Sequence, residues 1–256
     1  IAGTADRASD GCIIAQSNDE IAGRAKVIGL SLPTIETNRQ VVREIANAGV
    51  AGTVVVDTCT IGIDAAKLNA QILNEVGIQY LDSPVSGLKF RAEEGALVSM
   101  VSGPASELKK AHKLLEGYSR AVVHVGTEPG QGQRMKVLNN AICIASYVIS
   151  SEALTYGEAG GLRVGEMLEV INESSGQNFA TKFLFPKYVA TEQYDASGAE
   201  AHIIEKDISL FVEGADGDGT PSKVIAAAYE IIKAFNEADP LQDLSLIHIS
   251  EPTRRH

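Results

Sequence analysis

The chain is short of basic charge: 22 Lys and Arg stand against 33 Asp and Glu over 256 residues, a formal net charge of −11. That balance repels phosphate backbones and anionic lipid surfaces. No basic stripe with interleaved aromatics offsets it, so neither nucleic acid nor membrane is expected as a partner. Long apolar runs are missing as well. None reaches the roughly 18 residues of a spanning helix, and the N-terminus carries no charged-then-apolar leader pattern, which sets a cytoplasmic location as the expectation. Cysteine is scarce: Cys12, Cys59 and Cys143 are odd in number and widely spaced, as suits reduced thiols and not a disulfide frame or zinc site. The five histidines form no pair at ligand spacing, so no metal is expected. What is present is 45% apolar residues, 21% charged and 24 glycines, the composition of an ordinary α/β protein of one or two domains with material for a full core.

Short apolar runs at 26–32, 53–57, 78–83, 97–101 and 121–125 read as strands, and helix-period segments at 36–48 and 64–76 separate the first three. That alternation predicts a parallel sheet covered by helices, with the later strands free to pair differently. After Gly132 the strand signal stops. Helical periodicity at 131–159, 164–172, 202–212 and 221–235 predicts an all-helical second domain, and the turn formers of Gly126-Thr-Glu-Pro-Gly130 mark the boundary. Residues 245–256 extend neither pattern and end in Thr253-Arg-Arg-His256. They resemble the translated read-through of a sequencing adapter, with a disordered natural tail as the other reading, and are expected to take no part in the fold.

Within 131–159, Met135, Leu138, Ile142, Ala145 and Ile149 recur at threes and fours and predict one apolar stripe. Away from it lie Lys136 and Asn140, followed by Cys143, Ile144 and Tyr147. A helix about 40 Å long, apolar nearly all round, is expected to run through the interior between domains or subunits. Lys136 and Asn140 then become polar groups near a buried surface. A buried lysine is costly unless it is paired or holds a ligand, so Lys136 is a functional candidate; the bland alternative is a solvated first turn.

Ligands of open parallel sheets bind beyond the carboxyl ends of the strands. Those ends carry Leu32-Pro33, Asp57-Thr-Cys-Thr60 and Ser83-Pro-Val-Ser86-Gly87. Each alone is ordinary turn chemistry; their shared position singles them out. A further candidate is Gly130-x-Gly132-x-x-x-Lys136-x-x-Asn139-Asn140. Its paired glycines leave room for close backbone approach, and Lys136 and Asn140 fall four apart on one helical face. It is not a phosphate loop, because Val137 stands where that loop needs Ser or Thr, and the lysine does not follow a glycine. Gly214-Ala-Asp-Gly-Asp-Gly219 lacks the spacing and closing glutamate of a calcium loop and reads as a turn between helices.

At these residues the chain resembles the β-hydroxyacid dehydrogenases, the family of 3-hydroxyisobutyrate dehydrogenase and tartronate semialdehyde reductase, over about residues 18–245. The family's substrate motif appears as Asp82-Ser-Pro-Val-Ser86-Gly87-Leu-Lys-Phe-Arg-Ala92-Glu-Glu-Gly95-Ala-Leu97, and its catalytic motif is complete from Gly130 to Asn140. Asn172-Glu-Ser174-Ser175-Gly176 matches its Ser-Ser-Gly turn. Lys206-Asp207 matches its Lys-Asp-Leu, with Ile208 for leucine. The resemblance implies an α/β fold, a Rossmann-type parallel sheet domain (1–129, expected to be incomplete) followed by an all-helical substrate and dimerisation domain (130–244) joined by the long helix; residues 245–256 are set aside from both as a non-native tail. It implies NAD or NADP as cofactor and a small carboxylate substrate, while the all-round apolar helix at 131–159 predicts a homodimer or homotetramer. The resemblance makes Lys136 the general acid and base, with Ser86 and the Gly87 backbone on the substrate carboxylate. Asn140 would orient lysine and hydroxyl, Leu32, Pro33 and Thr60 would line the cofactor, and Lys206 would close over its nicotinamide end.

The chain departs from the family in two places. Leu88 and Arg91 replace glycines and Ala96 replaces threonine, so the substrate loop is bulkier and more basic, pointing away from the commonest small substrates or toward a more anionic one. The fingerprint Gly-x-Gly-x-x-Gly is absent, and the 25 residues before Lys26 cannot hold a full βαβ unit. The expectation is therefore a fragment without the pyrophosphate turn, of little activity as it stands, in which NAD and NADP are not distinguished. Three other readings are weighed: an imine-reductase-like relative, against which Lys136 with Asn140 argues; a hydrolase using Ser86 and Lys136, for which no oxyanion motif is present; and an inactive dimerising module.

Overall fold

The structure, a computed structural model, describes residues 13–194 and 199–248. The chain forms two compact units, Ile1–Lys136 and Val137–His256.

The first unit runs α1 (Asn18–Arg24), β1 (Val27–Leu30), α2 (Ile35–Ala48), β2 (Val54–Asp57), α3 (Ile63–Asn74), β3 (Gln79–Asp82), β4 (Val85–Ser86), α4 (Leu88–Glu93), β5 (Leu97–Ser102), α5 (Ala105–Glu116) and β6 (Ser119–Gly126). The local chemistry explains the helix starts. Ser17 and Thr34 accept hydrogen bonds from the backbone N–H of Glu20 and Thr37, capping α1 and α2. β1, β2 and β3 pair in parallel, so that Leu30, Asp57 and Asp82 stand side by side at the carboxyl edge. Val54, Val55 and Val56 are fully buried, as befits a central strand covered on both faces. Val55 packs with residues of α2 and α3, while Val54 and Val56 pack with Ala111 and Leu115 of α5. The later strands do pair differently: β5 is antiparallel to β3 and β4 and parallel to β6.

The second unit holds most of α6 (Gln131–Ala159), then α7 (Val164–Asn172), a wide π-helical segment (Ala180–Val189), α8 (Ala201–Asp218), α9 (Lys223–Ala238) and a short 3-10 turn (Leu244–His248). Its core joins Ile144, Tyr147, Val148 and Leu154 of α6 to Phe185, Ile208, Ile232 and Phe235.

The structure corrects several expectations. On α6, Leu138 (40% exposed), Ile142 (58%) and Ile149 (54%) of the apolar stripe point outward from the single chain, while Ala145 of the same stripe and Val137, Ala141, Ile144 and Val148 beside it are buried. Both sides are apolar, so periodicity alone does not choose between them. That helix is also long and apolar enough to cross a membrane by length and composition, although half of its most apolar stretch is buried in protein. Gly214–Asp218 is the last part of α8 and not a turn; the chain turns at Gly219, whose left-handed φ of 66° caps the helix. The segment from Ser245 does take part in the fold as far as His248, with Ser245, Ile247 and His248 buried and Ile247 in the core. Residues 249–256 lie outside the described residues, as does Cys12.

Candidate functional site

The carboxyl edge of the parallel strands is built around two buried carboxylates. Asp57, at the end of β2, accepts hydrogen bonds from Asn38 Nδ2 (2.8 Å), Tyr80 Oη (2.9 Å) and the Cys59 backbone N–H (3.1 Å). Asn69 Nδ2 donates in turn to Asn38 Oδ1 at 2.7 Å, so α2, α3, β2 and β3 share one polar network inside the core. Burial, then the charge of Asp57, raises the Tyr80 phenol well above its ordinary range. The same two causes push the Cys59 thiol up to about 12, which keeps it protonated and unreactive.

Asp82, at the end of β3, is fully buried and caps the start of α6. Its Oδ2 accepts from the backbone N–H of Gly130 (3.1 Å) and Gln133 (2.9 Å), and its Oδ1 from Gln133 Nε2 (2.6 Å). Ser102 of β5 completes the cap. Its hydroxyl accepts from the Gly132 N–H at 3.0 Å and donates to Asp82 Oδ2 at 3.3 Å. A negative group at a helix N-terminus meets otherwise unsatisfied N–H groups and the favourable end of the helix dipole. Desolvation nevertheless dominates and pushes the Asp82 carboxyl up to about 6, against the lowering effect of Gln133.

The two glycines of the motif are required by this close fit. A Cβ on Gly132 would lie 2.7 Å from Met100 O and 2.8 Å from Asp82 O, both backbone atoms. Gly130 has φ +93 and would meet Ile63 at 2.9 Å.

The expected site residues fall in two groups. In the first unit Leu32 and Thr60 are half-buried and Pro33 is exposed at the carboxyl ends of β1 and β2, where the Leu32 N–H approaches Cys59 Sγ at 3.1 Å. Ser86 ends β4 opposite Val98 of β5, and Gly87 follows with φ 149°. Leu88 is held left-handed at φ 59°, where a glycine would be unstrained. Arg91 lies beside this turn, its Cβ within 3.0 Å of where a Cβ on Gly87 would stand. Lys136 is half-buried on α6, one turn after Gln133. In the second unit Asn140 Nδ2 donates to Asp207 Oδ2 at 2.7 Å, and Lys206 Nζ lies 3.1 Å from Asp207 Oδ1. The buried Asp207 thus joins the two residues expected there. Asp207, Asp82 and Gln133 carried no role in the sequence reading. Their signal was present only as unassigned letters of the motifs.

The same two regions match known proteins. Residues 2–126 match the family model described as the NAD binding domain of 6-phosphogluconate dehydrogenase, and residues 130–247 that of the NAD-binding of NADP-dependent 3-hydroxyisobutyrate dehydrogenase. The chain is 32% identical over 210 residues to the NAD-dependent L-serine dehydrogenase of Pseudomonas aeruginosa, covering 79% of this chain and 70% of that one. It is 29% identical over 228 residues to the 2-(hydroxymethyl)glutarate dehydrogenase of Eubacterium barkeri, covering 88% and 75%. The solved 3-hydroxyisobutyrate dehydrogenase of Mycobacterium tuberculosis with L-serine superposes with a TM-score of 0.84 at 26% identity, covering 92% of this chain and 82% of that one.

Proposed function

Since the chain belongs to the β-hydroxyacid dehydrogenase family, NAD(P)-dependent oxidoreductases of 3-hydroxy acids, we propose that Lys136 is its general acid and base on a small 3-hydroxy carboxylate or the matching semialdehyde. The observation that carries this reading is the placement of Lys136. It stands one turn into a helix whose start is hydrogen-bonded to the carboxyl ends of β2 and β3, the edge where such sheets bind ligands.

The residues at that edge fit the nicotinamide half of the cofactor: Leu32 and Pro33 offer apolar surface, Thr60 a hydroxyl, and the buried Asp57 network holds the loop in between. NAD or NADP, when bound, supplies or accepts the hydride. The remaining steps belong to this chain. The Ser86 hydroxyl and Gly87 N–H hold the substrate carboxylate. In reduction the Lys136 ammonium donates its proton to the carbonyl oxygen; in oxidation the neutral amine takes the hydroxyl proton. Asn140, itself oriented by Asp207, is assigned to aligning lysine and hydroxyl, and the family resemblance assigns Lys206 to the nicotinamide end. Arg91 beside the Gly87 turn favours a substrate with a second carboxylate, a feature that the name of the Eubacterium barkeri relative's substrate also carries. The outward apolar residues of α6 are assigned to contact with a second copy, giving a homodimer or homotetramer. The free, buried Cys59 agrees with a reducing, cytoplasmic setting.

The test is Lys136→Ala in the chain carrying a family-type glycine-rich βαβ segment ahead of Ile1, assayed with reduced cofactor on mono- and dicarboxylate semialdehydes. Turnover should fall on the order of 10² to 10⁴-fold while cofactor affinity stays within a factor of about two. Normal turnover with alanine there would make Lys136 structural. A dicarboxylate preference that survives Arg91→Met would remove Arg91 from the reading.

A further inference from the structure

Gln133 stands in the first turn of α6, against the loop that follows β2, and it is fully buried. Each hydrogen-bonding position of its side-chain amide is used. Oε1 accepts from the backbone N–H of Ile61 (2.9 Å) and Gly62 (3.0 Å). Nε2 donates to Cys59 O (2.9 Å) and to Asp82 Oδ1 (2.6 Å). The orientation cannot be reversed, because turning the amide over would set its N–H groups against two backbone N–H donors and its oxygen against two acceptors. The backbone N–H of the same residue also donates to Asp82, so one residue grips both oxygens of that carboxylate.

Two consequences follow from chain order. Cys59, Ile61 and Gly62 bracket Thr60, so the amide holds both sides of that residue. Gln133 also precedes Lys136 by three residues, within the first turns of α6. A single side chain therefore fixes the loop after β2, the end of β3 and the start of α6 against each other. No other common side chain does the same. Glutamate would set an anionic oxygen against Cys59 O and Asp82, asparagine is one methylene short, and methionine has the length but neither donor nor acceptor.

We propose that Gln133 is a positioning residue of the reaction: it sets Thr60 and Lys136 in register, so that the cofactor face and the proton donor meet the same substrate atom pair. This rests on the proposed role of Lys136. Positioning errors of an ångström are enough to cost on the order of a hundredfold in rate, which is the scale expected when this tie is cut.

The experiment combines amide hydrogen exchange with cofactor titration and turnover. In the wild-type chain the Ile61 and Gly62 amides should exchange slowly, like those of the adjacent strands. Rapid exchange there overturns the proposal without any variant. In Gln133→Met both amides should lose protection, cofactor affinity should fall about tenfold, and turnover about a hundredfold. In Gln133→Glu the two amides should stay protected, because the carboxylate still accepts from them, while turnover falls through repulsion from Asp82. That split is not expected of a residue that only fills the core. A Gln133→Met chain with protected amides and normal affinity and turnover sinks the proposal. Should Lys136→Ala leave turnover intact, the proposed function fails by itself, and the exchange and cofactor-affinity results still decide whether Gln133 ties the loop to the helix.

Discussion

Leu88 is held at φ +59, a conformation that costs a side chain with a Cβ about 1 kcal/mol or more. It stands directly after Gly87, in a turn that the family resemblance fills with glycine. Leu88→Gly is therefore expected to raise stability by about 1 kcal/mol in denaturant unfolding, provided the turn keeps its shape; a loss of stability would show that the half-exposed leucine contributes more through packing than the strain removes. Asp82 makes a prediction of opposite sense to most carboxylates. Its folded pKa of about 6 lies above the ordinary 3.8. Between those values the folded chain keeps a proton that the unfolded chain has released. The stabilising contribution is thus fully present below about 3.8 and is lost as the pH rises through about 6. Asp82→Asn removes that titration and also sets an amide N–H among donors, so it is destabilising at every pH. The gap in thermal midpoint between wild type and variant should narrow from pH 4 to pH 7. A widening gap would mean that the hydrogen bonds to the carboxylate outweigh its desolvation.

Among the elements, α6 was legible to the residue, because its 29-residue pattern is long and uninterrupted. α7 was equally clear. α1, α4, α5 and the π-helical segment were not. α1 and α4 are too short for periodicity to accumulate, and the π-helical segment contains Pro186 and breaks the 3.6-residue period. α5, at 105–116, is long enough to carry a helical period, with Ala111 and Leu115 four apart on its buried side. The 3-10 turn at Leu244–His248 carries no periodic signal, yet it packs into the second unit. Ile247 is fully buried in the second unit's core, so Ile247→Ala should cost about 2 to 5 kcal/mol and lower the thermal midpoint by several degrees. A midpoint unchanged within error would restore the view that the segment lies outside the fold.

At the scale of the whole molecule, one side of α6 carries a row of exposed apolar side chains. Leu138, Ile142, Ile149 and Tyr156, the last 84% exposed, follow one another along one helix. Apolar side chains in a row along an otherwise core-forming helix suit a symmetric contact between copies. Light scattering at micromolar concentration should return about twice the 27.0 kDa chain mass or more, and Ile142→Glu should shift the population toward the single chain. A mass of one chain at all concentrations would leave that side of α6 as ordinary surface.

Sequence alone determined the features that arise from neighbours along the chain: the alternation of strand and helix before Gly126, the helical run after it, and the motif letters that mark Ser86, Lys136 and Asn140. Each is a local pattern with a period of 2 or about 3.6 residues, or a short fixed spacing. Tertiary structure decided what those patterns do not encode. The cap of α6 joins residues 48 and 51 positions apart, and the Gln133 amide reaches 72 and 74 positions back to Ile61 and Cys59. Hydrogen bonds at such separations leave no periodic trace; they exist only once the sheet has brought the ends of β2, β3 and β5 together. The same holds for the choice between the two apolar sides of α6, which depends on which neighbours the fold supplies and not on the composition of either side.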